Sequence, residues 1–97
     1  MSSKSDKSPE ERRGDSKDVH RVERVQTGVR MEKRLVKILK ALAEYHDLSL
    51  GDLLEGIVLH AFEGKSPFTR ESMGVIADLK RIYGFDLTAE ASHRLKG

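Results

Sequence analysis

Residues 25–31 read VQTGVRM, and how this stretch is read decides the fold. Val25, Thr27, Val29 and Met31 fall on one parity, and Arg24, Gln26, Gly28 and Arg30 on the other. Alternation with period two is the pattern of a strand buried on one face. Gly28 weakens the pattern, because a glycine inside a strand packs nothing and costs conformational entropy. One strand is the expectation, and no other stretch of the chain offers a second. A lone strand leaves amides and carbonyls without partners. Its least costly partner is the same segment of a second copy, antiparallel across a two-fold axis. An intertwined homodimer is therefore expected; the alternative is that the stretch is an irregular extended linker.

C-terminal to this stretch the period lengthens. In residues 32–47, EKRLVKILKALAEYHD, the apolar Leu35, Ile38, Leu39, Leu42 and Tyr45 recur at helical spacing, with Lys33, Lys37, Lys40 and Glu44 on another face. Ser49 is placed as an N-cap, with Asp52 three residues on as a shortened capping-box partner. The second helix carries Leu50, Leu53, Leu54, Ile57, Val58, Ala61 and Phe62, with Gly64 as its C′ residue. That is more apolar surface than one partner helix covers, which again predicts a dimer. A third helix starts at Ser66-Pro67 or at Thr69, has Met73, Ile76, Leu79, Ile82 and Tyr83 as its stripe, and ends at Gly84. Thr88 is a candidate cap for a short last helix with Ala91 and Leu95.

N-terminal to the stretch, residues 1–18 mix five Ser with five basic and five acidic residues. Such a segment buries too little to offset its ordering entropy and is expected to be a disordered tail. The domain organisation is thus a tail at 1–18, a dimerisation domain at 19–64 and a helical extension at 65–97. The whole chain has 97 residues, enough for one small domain, and only 37% of them are hydrophobic. Self-association is a natural source of additional core at this size. With no Cys there is no disulfide framework, thiolate chemistry or Cys-ligated zinc. No apolar run is long enough to span a bilayer and no signal peptide is evident, so a cytoplasmic protein without membrane contact is expected.

The net charge of +2 is too small to identify a partner, but its distribution is uneven. Residues 19–31 carry net +2, 32–64 net −2, and 65–97 net +2. Every positive charge of the middle block lies between Lys33 and Lys40, so basic side chains gather from Arg24 to Lys40 and acidic ones from Glu44 to Glu63. Doubled about a dimer axis, the basic set is the footprint of a DNA-binding face. A solvated helix face accounts better for Lys33, Lys37 and Lys40 taken alone, and equally well once they stand beside an Arg-bearing strand.

The order of VQTGVRM, EKRLVKILKALAEYHD and LSLGDLLEGIVLHAF resembles the ribbon-helix-helix repressors over residues 24–64. The resemblance implies a mainly α fold: one strand paired across a homodimer, two core helices, and here one or two further C-terminal helices. It also implies a two-stranded ribbon in the major groove of double-stranded DNA. Arg24, Gln26, Gly28 and Arg30 match the base-facing positions. Arg can grip guanine and Gln adenine bidentately, whereas Gly28 has no side chain with which to read. Ser49, Leu50 and Gly51 match the phosphate-holding turn, where free amides and the helix dipole favour an anion, and Lys33 is a further phosphate contact. Two departures stand out: Glu32 replaces a common Pro, and Asp52 sits beside the anion site.

Other chemistries fare worse. A helix-turn-helix reading fails because residues 50–63 contain no Lys or Arg and carry Asp52, Glu55 and Glu63. His20, His46, His60 and His93 make no metal-ligand spacing, so no metal or cofactor is expected. No phosphate loop or nucleophile elbow is present, so no catalytic residue is assigned. The expectation is a homodimeric DNA-binding regulator, repressor- or antitoxin-like, with residues 65–97 available to a protein partner. Tyr83, Phe85 and Leu87 suit either a core anchor or a partner patch. The rival is a dimeric protein-interaction module without DNA binding, favoured by Gly28 and the acidic second helix.

Overall fold

The computed structural model describes residues 19–97, and the tail expected at 1–18 lies outside the described residues. Three helices follow an extended N-terminal arm: α1 (Lys33–Tyr45), α2 (Leu50–Phe62) and α3 (Arg70–Ile82). Each begins on a side-chain cap. The Glu32 carboxylate accepts from the Leu35 amide, Ser49 Oγ from the Asp52 amide, and Thr69 Oγ1 from the Ser72 amide. Thr69, rather than Ser66-Pro67, therefore starts α3. Glu32, out of place against the family pattern, serves as the acceptor for an otherwise orphaned amide.

All three helices end in the same way. The residue after each C-cap takes a left-handed conformation: Asp47 at φ 57°, Gly64 at φ 71° and Gly84 at φ 62°. The next amide then returns to the helix, with Leu48 donating to Ala43, Lys65 to His60 and Phe85 to Lys80 at 2.8–2.9 Å. This is the Schellman arrangement, in which glycine carries no Cβ penalty. Asp47 pays that penalty.

The backbone of helix α1 runs close to both α2 and α3, whose own backbones stay apart and whose side chains meet in one shared core. Ile38, Leu42 and Ala43 of α1, Leu53 of α2 and Ile76 of α3 are the buried apolar residues, with Leu42 only 1% exposed. Leu39, Ile57, Phe68, Val75 and Leu79 pack around Leu42, Ala43, Leu53 and Ile76. Polar links hold α1 and α3 antiparallel. At one end Tyr45 Oη donates to Glu71 at 2.6 Å and His46 Nε2 shares a 2.8 Å bond with Ser72 Oγ. At the other, Arg34 donates to the Gly84 carbonyl at 2.7 Å, with its guanidinium 5.5 Å from the Phe85 ring.

Two expectations are corrected. Val25–Met31 is not a strand: residues 19–32 form no regular element, and the described residues make a three-helix, all-α fold without a β-ribbon. A strand exists only through hydrogen bonds to a neighbour, and no described residue of the chain offers one. The arm's backbone makes no bond to other described backbone, and Val25 and Val29 stand 80% and 70% exposed. The alternation in VQTGVRM is real, but it does not itself supply a ladder. The last helix is likewise reduced to one 3₁₀ turn, Ala89–Ala91. Thr88 makes no side-chain cap there, and His93 at φ 67° breaks the chain's direction before Leu95.

Candidate nucleic-acid interface

The arm positions the expected base-contacting residues in solvent, and Arg24 and Arg30 turn back onto the chain. Arg24 makes two parallel bonds to Glu55 of α2, Nε to Oε2 at 3.0 Å and Nη2 to Oε1 at 2.9 Å. The shared hydrogen bonds hold the Glu55 carboxyl below its ordinary pKa and raise that of the Arg24 guanidinium. Arg30 Nη2 donates to the Gly97 carbonyl at 2.8 Å. Gln26 is exposed, and a Cβ at Gly28 would meet nothing within 4 Å. Space therefore does not explain the glycine.

Of the expected phosphate contacts, Lys33 is the first residue of α1 and is exposed. Ser49 and Gly51 are exposed and Leu50 half-buried at the start of α2. The Ser49 hydroxyl is engaged in capping Asp52, while the Leu50 and Gly51 amides make no bond to a described residue. Those two N–H groups at the positive end of a helix can receive an anion oxygen. The Asp52 carboxylate in the same turn opposes one.

The chain thus brings part of the expected set together. Glu55 lies one helical turn beyond Gly51, so Arg24 comes to rest near the start of α2. Arg30 is held instead beside Gly97, and Lys33 stands exposed at the start of α1. Lys37 lies 5.7 Å from the Tyr83 ring centre, a cation–π contact that still leaves its charge in solvent.

Helix α2 is the second notable surface. Of its apolar residues only Leu53 is buried, while Val58, Leu59 and Phe62 are exposed, Phe62 by 82%. A separate groove of about 1020 Å³ lies among α1, α3 and residues 85–97, with Leu54 and Ile57 as its lining from α2. An apolar face of this kind marks an interaction surface.

Sequence reasoning assigned nothing to Arg34 or Ser72. Arg34 joins Glu32 at 3.0 Å, the Gly84 carbonyl and the Phe85 ring, and so fixes the chain after α3 to the start of α1. This makes Phe85 an anchor. Ser72 is the buried polar side chain, and its hydroxyl is satisfied by His46 and by Thr69 Oγ1 at 3.2 Å. His46 is therefore a structural histidine. Neither pairing carries a local sequence signal, since the partners lie 26 and more residues apart.

No family model, curated protein or solved structure matches the chain. Among the described residues no helix is long and apolar enough to cross a membrane.

Proposed function

We propose that the chain is a non-enzymatic, double-stranded DNA-binding regulator that works as a homodimer. The observation that carries this reading is the arm. It sets Arg21, Arg24, Gln26 and Arg30 in solvent immediately before the exposed Lys33, Lys37 and Lys40 of α1. Arginine and glutamine on extended backbone can reach base edges, and lysines of an adjacent helix can hold phosphates. Arg24, Gln26 and Arg30 are the base contacts in this reading; Lys33 and the Leu50 and Gly51 amides are the phosphate contacts. The unpartnered face of α2 supports self-association, which would double the basic set. No strand pairing is required.

Fluorescence anisotropy with pooled duplex fragments at about 50 and 200 mM salt tests the reading. Binding should fall steeply with salt, because phosphate contacts release counterions. Arg30→Ala should weaken a selected site by roughly 5- to 150-fold, and Lys33→Ala should weaken all sequences alike. Equal losses on selected and random DNA for both variants would contradict the base-contact assignment. A second reading, a dimeric protein-interaction module, is favoured by the apolar and acidic α2, where Leu59 and Phe62 lie exposed alongside Asp52, Glu55 and Glu63. Failure to bind any fragment at about 50 mM salt would select it.

A further inference from the structure

The arm that carries the DNA-contacting side chains is held to the body of the chain by those same side chains. Among the described residues, residues 19–31 make no backbone hydrogen bond to other backbone. Their side-chain bonds to the rest of the described chain are those of Arg24 to Glu55 and of Arg30 to the Gly97 carbonyl. We infer that the Arg24–Glu55 contact is autoinhibitory: Glu55 occupies Arg24 as a stand-in for the nucleic-acid anion and has to be displaced before the arm engages DNA. This deepens the DNA-binding reading above and rests on it.

The geometry supports competition. Arg24 presents its Nε and Nη2 edge to two carboxylate oxygens, the same pairing of parallel donors that an arginine offers to two phosphate oxygens or to guanine O6 and N7. That edge cannot serve both partners. Its remaining donors sit beside a neutralised charge, and Asp52 adds a further negative charge nearby. An approaching phosphate therefore meets little net attraction until Arg24 lets go. The hold is also light enough to be broken. The two side chains are 63% and 49% exposed, and exposed ion pairs are weak and screened by salt. The contact therefore lowers the affinity of every duplex that engages Arg24 by the same modest factor.

The test compares Glu55→Gln with Glu63→Gln in the full chain. Both remove one negative charge from the end or body of α2, but Glu63 pairs with Lys65 rather than with the arm. By anisotropy at about 50 mM salt, Glu55→Gln should bind duplex fragments about two- to five-fold more tightly than Glu63→Gln. The difference should vanish when both changes are made in an Arg24→Ala background. An equal gain from Glu63→Gln, or a gain that survives Arg24→Ala, would overturn the inference. Solvent exchange of the Arg24 Nε–H, followed by NMR without DNA, separates the two levels of the argument. Exchange should be slowed in the wild type and released in Glu55→Gln, and unslowed wild-type exchange would refute the tether itself. Slowed exchange in a chain that binds no duplex would refute the DNA-binding reading, and the inhibitory role with it.

Discussion

Phe62→Ala is the substitution whose outcome depends most on whether α2 is covered. In the single chain Phe62 is 82% exposed, and removing an exposed ring changes stability by no more than about 0.5 kcal/mol. A second copy seated on α2 changes the arithmetic. A phenylalanine side chain offers roughly 200 Å² of apolar surface, of which about 160 Å² is available here. At about 25 cal/mol per Å² its full burial is worth about 4 kcal/mol in each copy. Alanine keeps part of that contact, and association spends part of the gain on lost freedom, so only a fraction appears as affinity. Taking about 3 kcal/mol over both copies, Phe62→Ala should raise the dimer dissociation constant by about 100-fold. Sedimentation equilibrium across a wide range of protein concentration measures this directly. Urea unfolding at two concentrations supplies the complement, since only an associating chain has a midpoint that moves with concentration. A wild-type protein that sediments as a single chain at about 100 μM, or a variant that associates as the wild type does, would refute the assignment of α2 as the interface.

Other changes probe the helices themselves. Leu42→Ala removes the most buried side chain of a small core and should cost about 2.5–5 kcal/mol, measured by denaturant unfolding. Asp47→Gly relieves a left-handed non-glycine residue at the end of α1 and should stabilise the fold by about 0.5–1 kcal/mol; no gain would mean that Asp47 is held there by something other than the turn. Glu32 has a carboxyl pKa below its ordinary value of 4.5, chiefly because the Leu35 amide donates to its charged form. A depressed carboxyl pKa contributes stability that is full above the unfolded value and lost as pH falls through the folded one. Glu32→Gln should therefore flatten the acid side of the stability profile below about pH 4.5 and leave its neutral side similarly shaped.

The helices were legible because their signals are local. Periodicity in EKRLVKILKALAEYHD, the hydroxyl of Ser49 and the glycines at 64 and 84 each act within a turn of their own position. Ala43 was missed from the α1 stripe because a small residue contributes little to an apolar pattern, yet it lies where α1 is most closely covered. The strand was misread for a different reason. A helix satisfies its own backbone, whereas alternation in Val25, Val29 and Met31 records only which side chains could share a face. The ladder needs a second strand, and no described part of this chain provides it. The long-range polar contacts, Arg24 with Glu55 and Arg34 with Gly84, were invisible because nothing in the order of residues states which surfaces meet. Charge segregation into a basic arm and an acidic α2 was nonetheless plain, and in the fold these two oppositely charged stretches touch.

With the backbones of α2 and α3 each close to α1 and not to one another, the fold has a hub and two spokes that share only the core beneath them. Substitutions that refashion the outside of one spoke have no direct route to the other, so the two flanks are free to diversify separately. The hub has no such freedom, because a single altered turn of α1 disturbs both attachments at once. Sequence drift should therefore be slowest on the faces of Ile38, Leu42 and Ala43, and fastest on whichever flank has no partner to please.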